Sequence, residues 1–186
     1  NLWGWAAPSE KIAIKTSWIK NEINVTANSE GSWKVAIVTT DSKAPQTISL
    51  KSKISNILLE NILFGEVWLC SGQSNMEMPV KGFNGQPTFG AAQAILYAKN
   101  SNLRLFTVER NSSKTALDNL EKNKGWTQAT PESVANFSAV AYFFGKQLQE
   151  ILEVPVGLIQ TSWGGSSVEA WTSNEALSEF QTIDLE

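Results

Sequence analysis

Histidine is absent from the 186 residues, and cysteine occurs once, at Cys70. Without imidazole these residues hold no general base of the commonest kind, no switch near neutral pH and no usual zinc ligand. A single cysteine excludes an internal disulfide, a CxxC redox pair and a structural zinc knuckle. No metal and no cofactor are therefore expected. Apolar runs stop well short of the ~20 residues needed for a membrane-spanning helix. Basic residues number 15 against 18 acidic ones and form no cluster, which argues against a nucleic-acid surface. Neither membrane nor nucleic acid is an expected partner, and composition says nothing about oligomeric state. The sequence starts at Asn1 rather than Met and shows no signal peptide, so both ends read as cut.

What is present suits a folded core: 42% of the residues are hydrophobic, with 8 Trp and 8 Phe. Up to about residue 62 the apolar residues alternate with period two, as in Lys11–Lys15, Trp33–Ile37 and Ile48–Lys51, with polar turns such as Asn28–Ser32 between them. This texture predicts short antiparallel strands over residues 1–62. From residue 63 the texture changes to a hydrophobic strand at Val67–Cys70, a helical stretch near 88–99, a strand at Leu103–Val108, a long helix and a further buried strand. Such alternation predicts an α/β segment over 63–186.

The clearest helix start is Thr130-Pro131-Glu132: a capping hydroxyl, proline at the first helical position and an acid at the positive end of the dipole. Val134, Phe137, Val140, Ala141, Phe144, Leu148 and Ile151 recur at three- and four-residue spacing, which predicts one long helix with one buried stripe, ended by Pro155. Val156–Ile159 then reads as a strand buried in a parallel sheet.

Two loops stand at the carboxyl ends of these strands, where α/β sheets bind ligands. The first is Ser71-Gly72-Gln73-Ser74-Asn75-Met76. Ser74 there is either a candidate nucleophile or the capping hydroxyl of an ordinary strand-to-helix turn. Met76 fills the last glycine position of G-x-S-x-G, which disfavours the α/β-hydrolase elbow. The second loop, Gln160–Ser167, contains Trp163-Gly164-Gly165, whose backbone N–H groups can approach a substrate oxygen as an oxyanion hole requires. Gln73, Asn75, Gln160, Glu169 and Trp163 are candidate substrate contacts. Gln73 and Asn75 equally support the turn, Gln160 braces the second loop, Glu169 equally pairs with a local donor, and Trp163 and Trp171 either stack on a sugar or fill the core. Cys70 reads as a small core residue. Asn24, Asn111 and Asn136 start Asn-x-Ser/Thr triplets.

The block Phe64-Gly-Glu-Val-Trp-Leu-Cys-Ser-Gly-Gln-Ser-Asn-Met-Glu-Met-Pro-Val80 resembles the nucleophile block of the sialate O-acetylesterase family of SGNH hydrolases. Phe137–Gly145, the run Ile159–Trp171 and the opening Leu2–Pro8 are similar to further parts of that family. The resemblance implies a flavodoxin-like, three-layer SGNH hydrolase domain, here incomplete, preceded by an antiparallel β-sandwich-like segment. It further implies removal of O-acetyl groups from a sugar or glycan such as sialic acid, in a periplasmic or extracellular setting. Ser74 matches the nucleophile, and Gly165, or failing that Gly164, matches an oxyanion donor. The family's Asp-x-x-His pair and its oxyanion asparagine have no counterpart here, so a fragment without its base is expected, nearly inactive alone. A xylan-type acetylesterase and a sugar-binding or structural remnant of the same fold are the alternatives.

Overall fold

Alternating burial builds the first strands. Ile12 and Ile14 are buried while Lys11 and Lys15 face solvent, so the period-two pattern becomes a strand with one wet and one dry face. The computed structural model describes residues 1–180 apart from 114, 116, 118, 121 and 122, and is a mixed α/β structure with several sheets and short helices. Two compact units divide it, Asn1–Gly65 and a second beginning at Glu66.

In the first unit, β1 (Leu2–Trp5) and β4 (Ser32–Val35) form an antiparallel ribbon. β2 (Lys11–Thr16), β3 (Ile23–Thr26), β5 (Gln46–Lys51) and β6 (Asn56–Ile62) form an antiparallel sheet in the order β3-β2-β5-β6. Its core gathers Ile12, Ile14, Ala27, Trp33 and Ile48. The Trp18 and Phe64 rings meet edge to face, 4.9 Å between centroids.

The second unit carries β7 (Glu66–Gly72), the one-turn helix α1 (Ser74–Glu77), α2 (Ala91–Leu96), β8 (Asn100–Thr107), β9 (Thr127–Ala129), α3 (Pro131–Ala135), α4 (Ala139–Leu152), β10 (Val156–Ser162) and α5 (Asn174–Leu177). The sheet order is β7-β10-β8-β9, with β7, β10 and β8 parallel and β9 antiparallel. β10 lies between two parallel neighbours, and its Val156 and Leu158 are fully buried with Leu103 and Leu105 of β8. The core is completed by Val134, Phe137, Ala141 and Tyr142 from the helical side.

Two sequence expectations are corrected. The long helix is two: α3 ends before Phe137, and α4 starts afresh after Ser138. At the break the Ser138 N–H donates to Gln160 Oε1 (3.0 Å), and Ser138 Oγ accepts from the Ala141 N–H (3.2 Å) as the cap of α4. A tertiary partner thus replaces the helical one. The break also rotates the buried stripe. Ala139, Ala141, Tyr142 and Gly145 face the core, whereas Val140, Phe144 and Ile151 are exposed. Small residues on that face let α4 lie close to β10. The helix expected near 88–99 is shorter, Ala91–Leu96, because it begins after Gly90 in a left-handed conformation (φ 74°). Val67–Leu69 is hydrophobic but not enclosed: β7 is an edge strand among those described, and Val67 and Leu69 are 62% and 66% exposed. The capping expectation at Thr130 holds. Its hydroxyl accepts from the Ser133 N–H and the Ser133 hydroxyl accepts from the Thr130 N–H, with Pro131 at the first helical position.

Candidate functional site

β7 and β10 run parallel with Gly72 directly opposite Ser162, so the loops that leave their carboxyl ends start side by side. One hydrogen bond ties the loops directly: the Trp163 N–H donates to the Gly72 carbonyl (3.0 Å). Gly72 has φ 144°, which lets the strand turn at once into α1. Ser74 is the first residue of that helix and is exposed.

The helix that Ser74 opens is fixed from behind. Val80 N–H donates to the Phe137 carbonyl (2.9 Å), Ala139 N–H donates to the Met78 carbonyl (2.8 Å), and the Ser138 hydroxyl reaches Met76 Sδ (3.4 Å). The break between α3 and α4 is therefore also the clamp on the chain that follows Ser74. Gln160 serves the same clamp. Its side chain is buried, its Oε1 accepts from Ser138 N–H, and its Nε2 donates to Ser162 Oγ (3.1 Å).

Ser74 and the Gly164 turn come together. A Cβ placed on Gly164 would lie 3.7 Å from Ser74 Oγ. The hydroxyl of Ser74 has Gln73 Oε1 as its hydrogen-bond partner among the described residues, at 3.5 Å. Gly165 follows in a left-handed conformation (φ 80°), and nothing lies within 4 Å of the place a side chain would take. Trp163 is 41% exposed. Beyond the turn, Trp171 Nε1–H donates to Ser166 Oγ (2.7 Å), and that hydroxyl donates to the Trp163 carbonyl (2.6 Å), so Trp171 braces the loop.

Asn75 is exposed on α1. Glu169 lies on the 3-10 turn Val168–Trp171, exposed. A hydrogen bond from the Ser167 side chain, then its own backbone N–H, holds its carboxyl below the usual range.

Two residues escaped the sequence reading. The Glu77 carboxylate accepts the Gly164 N–H on Oε2 and pairs through Oε1 with Arg110, whose guanidinium stands 5.8 Å over the Trp163 ring. Glu77 follows Ser74 by three residues, one turn of helix, so spacing marks it as a neighbour. Nothing local marks Arg110. Glu77 and Arg110 also line a cavity of about 510 Å³ with Lys81, Thr107, Gln160 and Ser162. Among the described residues no group of three or more His, Cys, Asp or Glu is placed to hold a metal ion, and no helix is long and apolar enough to cross a membrane.

Residues 64–183 match the family model described as carbohydrate esterase, sialic acid-specific acetylesterase. Sialate O-acetylesterase of Pongo abelii is 29% identical over 192 residues, covering 95% of this chain and 36% of that protein. The Mus musculus sialate O-acetylesterase is also 29% identical, over 95% of this chain and 34% of its own length. The crystal structure of a carbohydrate acetylesterase from Xanthomonas citri superposes with a TM-score of 0.87 at 32% identity, over 95% of this chain and 39% of that one. The chain thus spans about a third of the curated relatives it matches. A match over residues 64–183, which takes in both loops and the strands that align them, shows that the chain belongs to the sialic acid-specific acetylesterase family of carbohydrate esterases.

Proposed function

We propose that the chain is the nucleophile-bearing part of an esterase that removes O-acetyl groups from sugars of the sialic acid type. The supporting observation is the pairing of Gly72 with Ser162, which sets Ser74 beside the Trp163-Gly164-Gly165 turn. In this reading Ser74 Oγ attacks the acetyl carbonyl carbon, and the oxyanion is received by the N–H groups of Ser74 and Gly165. The C–O bond to the sugar breaks, the sugar oxygen takes a proton, and water then releases acetate from Ser74. The proton first leaves Ser74 Oγ for a histidine oriented by an aspartate. The 186 residues include no histidine, so that base comes from outside them.

The same reading takes residues 63–186 as part of a flavodoxin-like, three-layer SGNH hydrolase domain, residues 1–62 as an accessory sandwich, and the whole protein as exported. Gln73, Asn75, Trp163 and Glu169, all exposed around the two loops, are proposed to meet the sugar, with Gln160 behind them. The experiment is acetate release from O-acetylated sialic acid and from 4-nitrophenyl acetate by the full-length protein and its Ser74→Ala variant. Ser74→Ala loses turnover, and an organophosphonate adds covalently at Ser74. Turnover by the variant at the wild-type rate overturns the assignment. These 186 residues alone retain at most the roughly 10³–10⁴-fold acceleration left when triad members are missing.

A further inference from the structure

We propose that Glu77 is the positioning residue of the oxyanion loop, that Arg110 cancels its charge there, and that Gly165 rather than Gly164 therefore supplies the loop's oxyanion N–H. The inference rests on the esterase reading of Ser74 and assigns work to two residues that reading leaves idle.

Gly164 N–H is already committed to Glu77 Oε2, so it does not point at a developing oxyanion. The next N–H in the chain belongs to Gly165, whose φ of 80° turns the peptide away from the path of Gly164 and whose side-chain position is open. A bond from Gly164 to a residue one helical turn past Ser74 fixes the loop to the helix that carries Ser74, adding a side-chain tie to the backbone bond between Trp163 and Gly72. Oxyanion stabilisation depends on such preorganisation, because donors that must move to meet the charge lose most of their effect.

A carboxylate beside Ser74 would repel the oxyanion it helps to place. Arg110 on Oε1 makes the pair neutral, and its stacking over Trp163 holds the guanidinium to the same loop. The Glu77 side chain is 23% exposed and that of Arg110 49% exposed, so an unpaired carboxylate here would be partly desolvated. Each Glu77 oxygen accepts from a donor, Arg110 on one and Gly164 N–H on the other, while Ser74 Oγ has Gln73 Oε1 as its partner among the described residues, an arrangement that suits positioning rather than proton transfer from Ser74.

The test is kcat and KM of the full-length protein with 4-nitrophenyl acetate for Ser74→Ala, Glu77→Ala, Glu77→Gln, Arg110→Ala and the double variant Glu77→Gln/Arg110→Ala, each with a thermal melt. Glu77→Ala loses roughly 100-fold in kcat with KM little changed, the scale of one lost oxyanion donor. Glu77→Gln keeps an oxygen for Gly164 N–H and loses only about 5-fold. Arg110→Ala loses roughly 30-fold because the bare carboxylate faces the oxyanion, and adding Glu77→Gln to it restores kcat to the Glu77→Gln level. A merely structural ion pair gives the opposite pattern: Glu77→Gln as poor as Glu77→Ala, and the double variant no better than Arg110→Ala. Either result overturns the proposal, and if Glu77→Ala fails to fold the Arg110 pair of measurements still decides it. Wild-type turnover by Ser74→Ala removes the esterase reading itself. A dead Ser74→Ala beside an uninformative charge pattern removes only the clamp.

Discussion

The Gly164 N–H is held by the Glu77 carboxylate, and the place where a Cβ of residue 164 would stand faces both that carboxylate and, at 3.7 Å, Ser74 Oγ. Gly164→Ala must therefore push Glu77 aside and break the bond that ties the glycine turn to α1. We expect kcat to fall roughly 100-fold with little loss of folding stability. Gly165→Ala fails differently, since its space is open but its φ of 80° suits an L-residue poorly. That strain is about 1–2 kcal/mol and is read from a urea midpoint. Wild-type kcat in Gly164→Ala would show that the turn relaxes without cost.

Gly145 on α4 sits against Leu158 on β10 so closely that an added Cβ would lie 2.5, 2.7 and 2.9 Å from Leu158 Cδ1, Cδ2 and Cγ. Alanine is the better helix former by about 1 kcal/mol. The collision outweighs it, because Leu158 is fully buried and has nowhere to go. Gly145→Ala should destabilise by roughly 1–3 kcal/mol in denaturant unfolding. Adding Leu158→Val should recover part of that loss, which two independent substitutions would not do.

Cys70 is 7% exposed, and burial pushes its thiol above the usual range. The unfolded thiol gives up its proton first, near pH 8.5, so above that pH the unfolded state holds fewer protons than the folded one and stability falls as pH rises. Below about pH 8 the group has no effect. Tyr142, raised chiefly by burial, acts in the same direction at higher pH. The unfolding midpoint should therefore drop between pH 8 and 10, less steeply in Cys70→Ala than in the wild type. Parallel curves for the two proteins would exclude Cys70 as a cause.

Much of this was legible in the sequence where a local rule decides the outcome. The strands around Ile12–Ile14 and Ile48–Leu50 follow from alternation, and the Thr130-Pro131 start follows from capping chemistry. Ser74 and the Gly164-Gly165 turn were marked as candidates by small residues after apolar strands, and the resemblance of the Phe64–Val80 block to a known family, not the spacing, favoured a nucleophile over an ordinary turn at Ser74. The break at Ser138 did not stand out, since its cause is a buried glutamine 22 residues later, and without the break the apolar positions fit one continuous stripe. Arg110 was equally invisible, as its partner is 33 residues away and its aromatic neighbour lies in another loop. The exposure of β7 reflects its place at the edge of the sheet, which a hydrophobic run does not reveal.

The pairing of β7 with β10 also sets a timetable. Glu66 meets Val156, ninety positions further on, so the strand that delivers Ser74 finds its parallel neighbour late in synthesis. Contacts of such long sequence separation close slowly and only after intervening chain has been made. During translation the serine turn therefore emerges before the glycine turn that completes it, with an apolar, hydrogen-bond-hungry strand beside it. Holding that strand until β10 arrives is a task for the folding machinery, and slowed or truncated synthesis between the two strands should raise aggregation well before it alters any finished molecule.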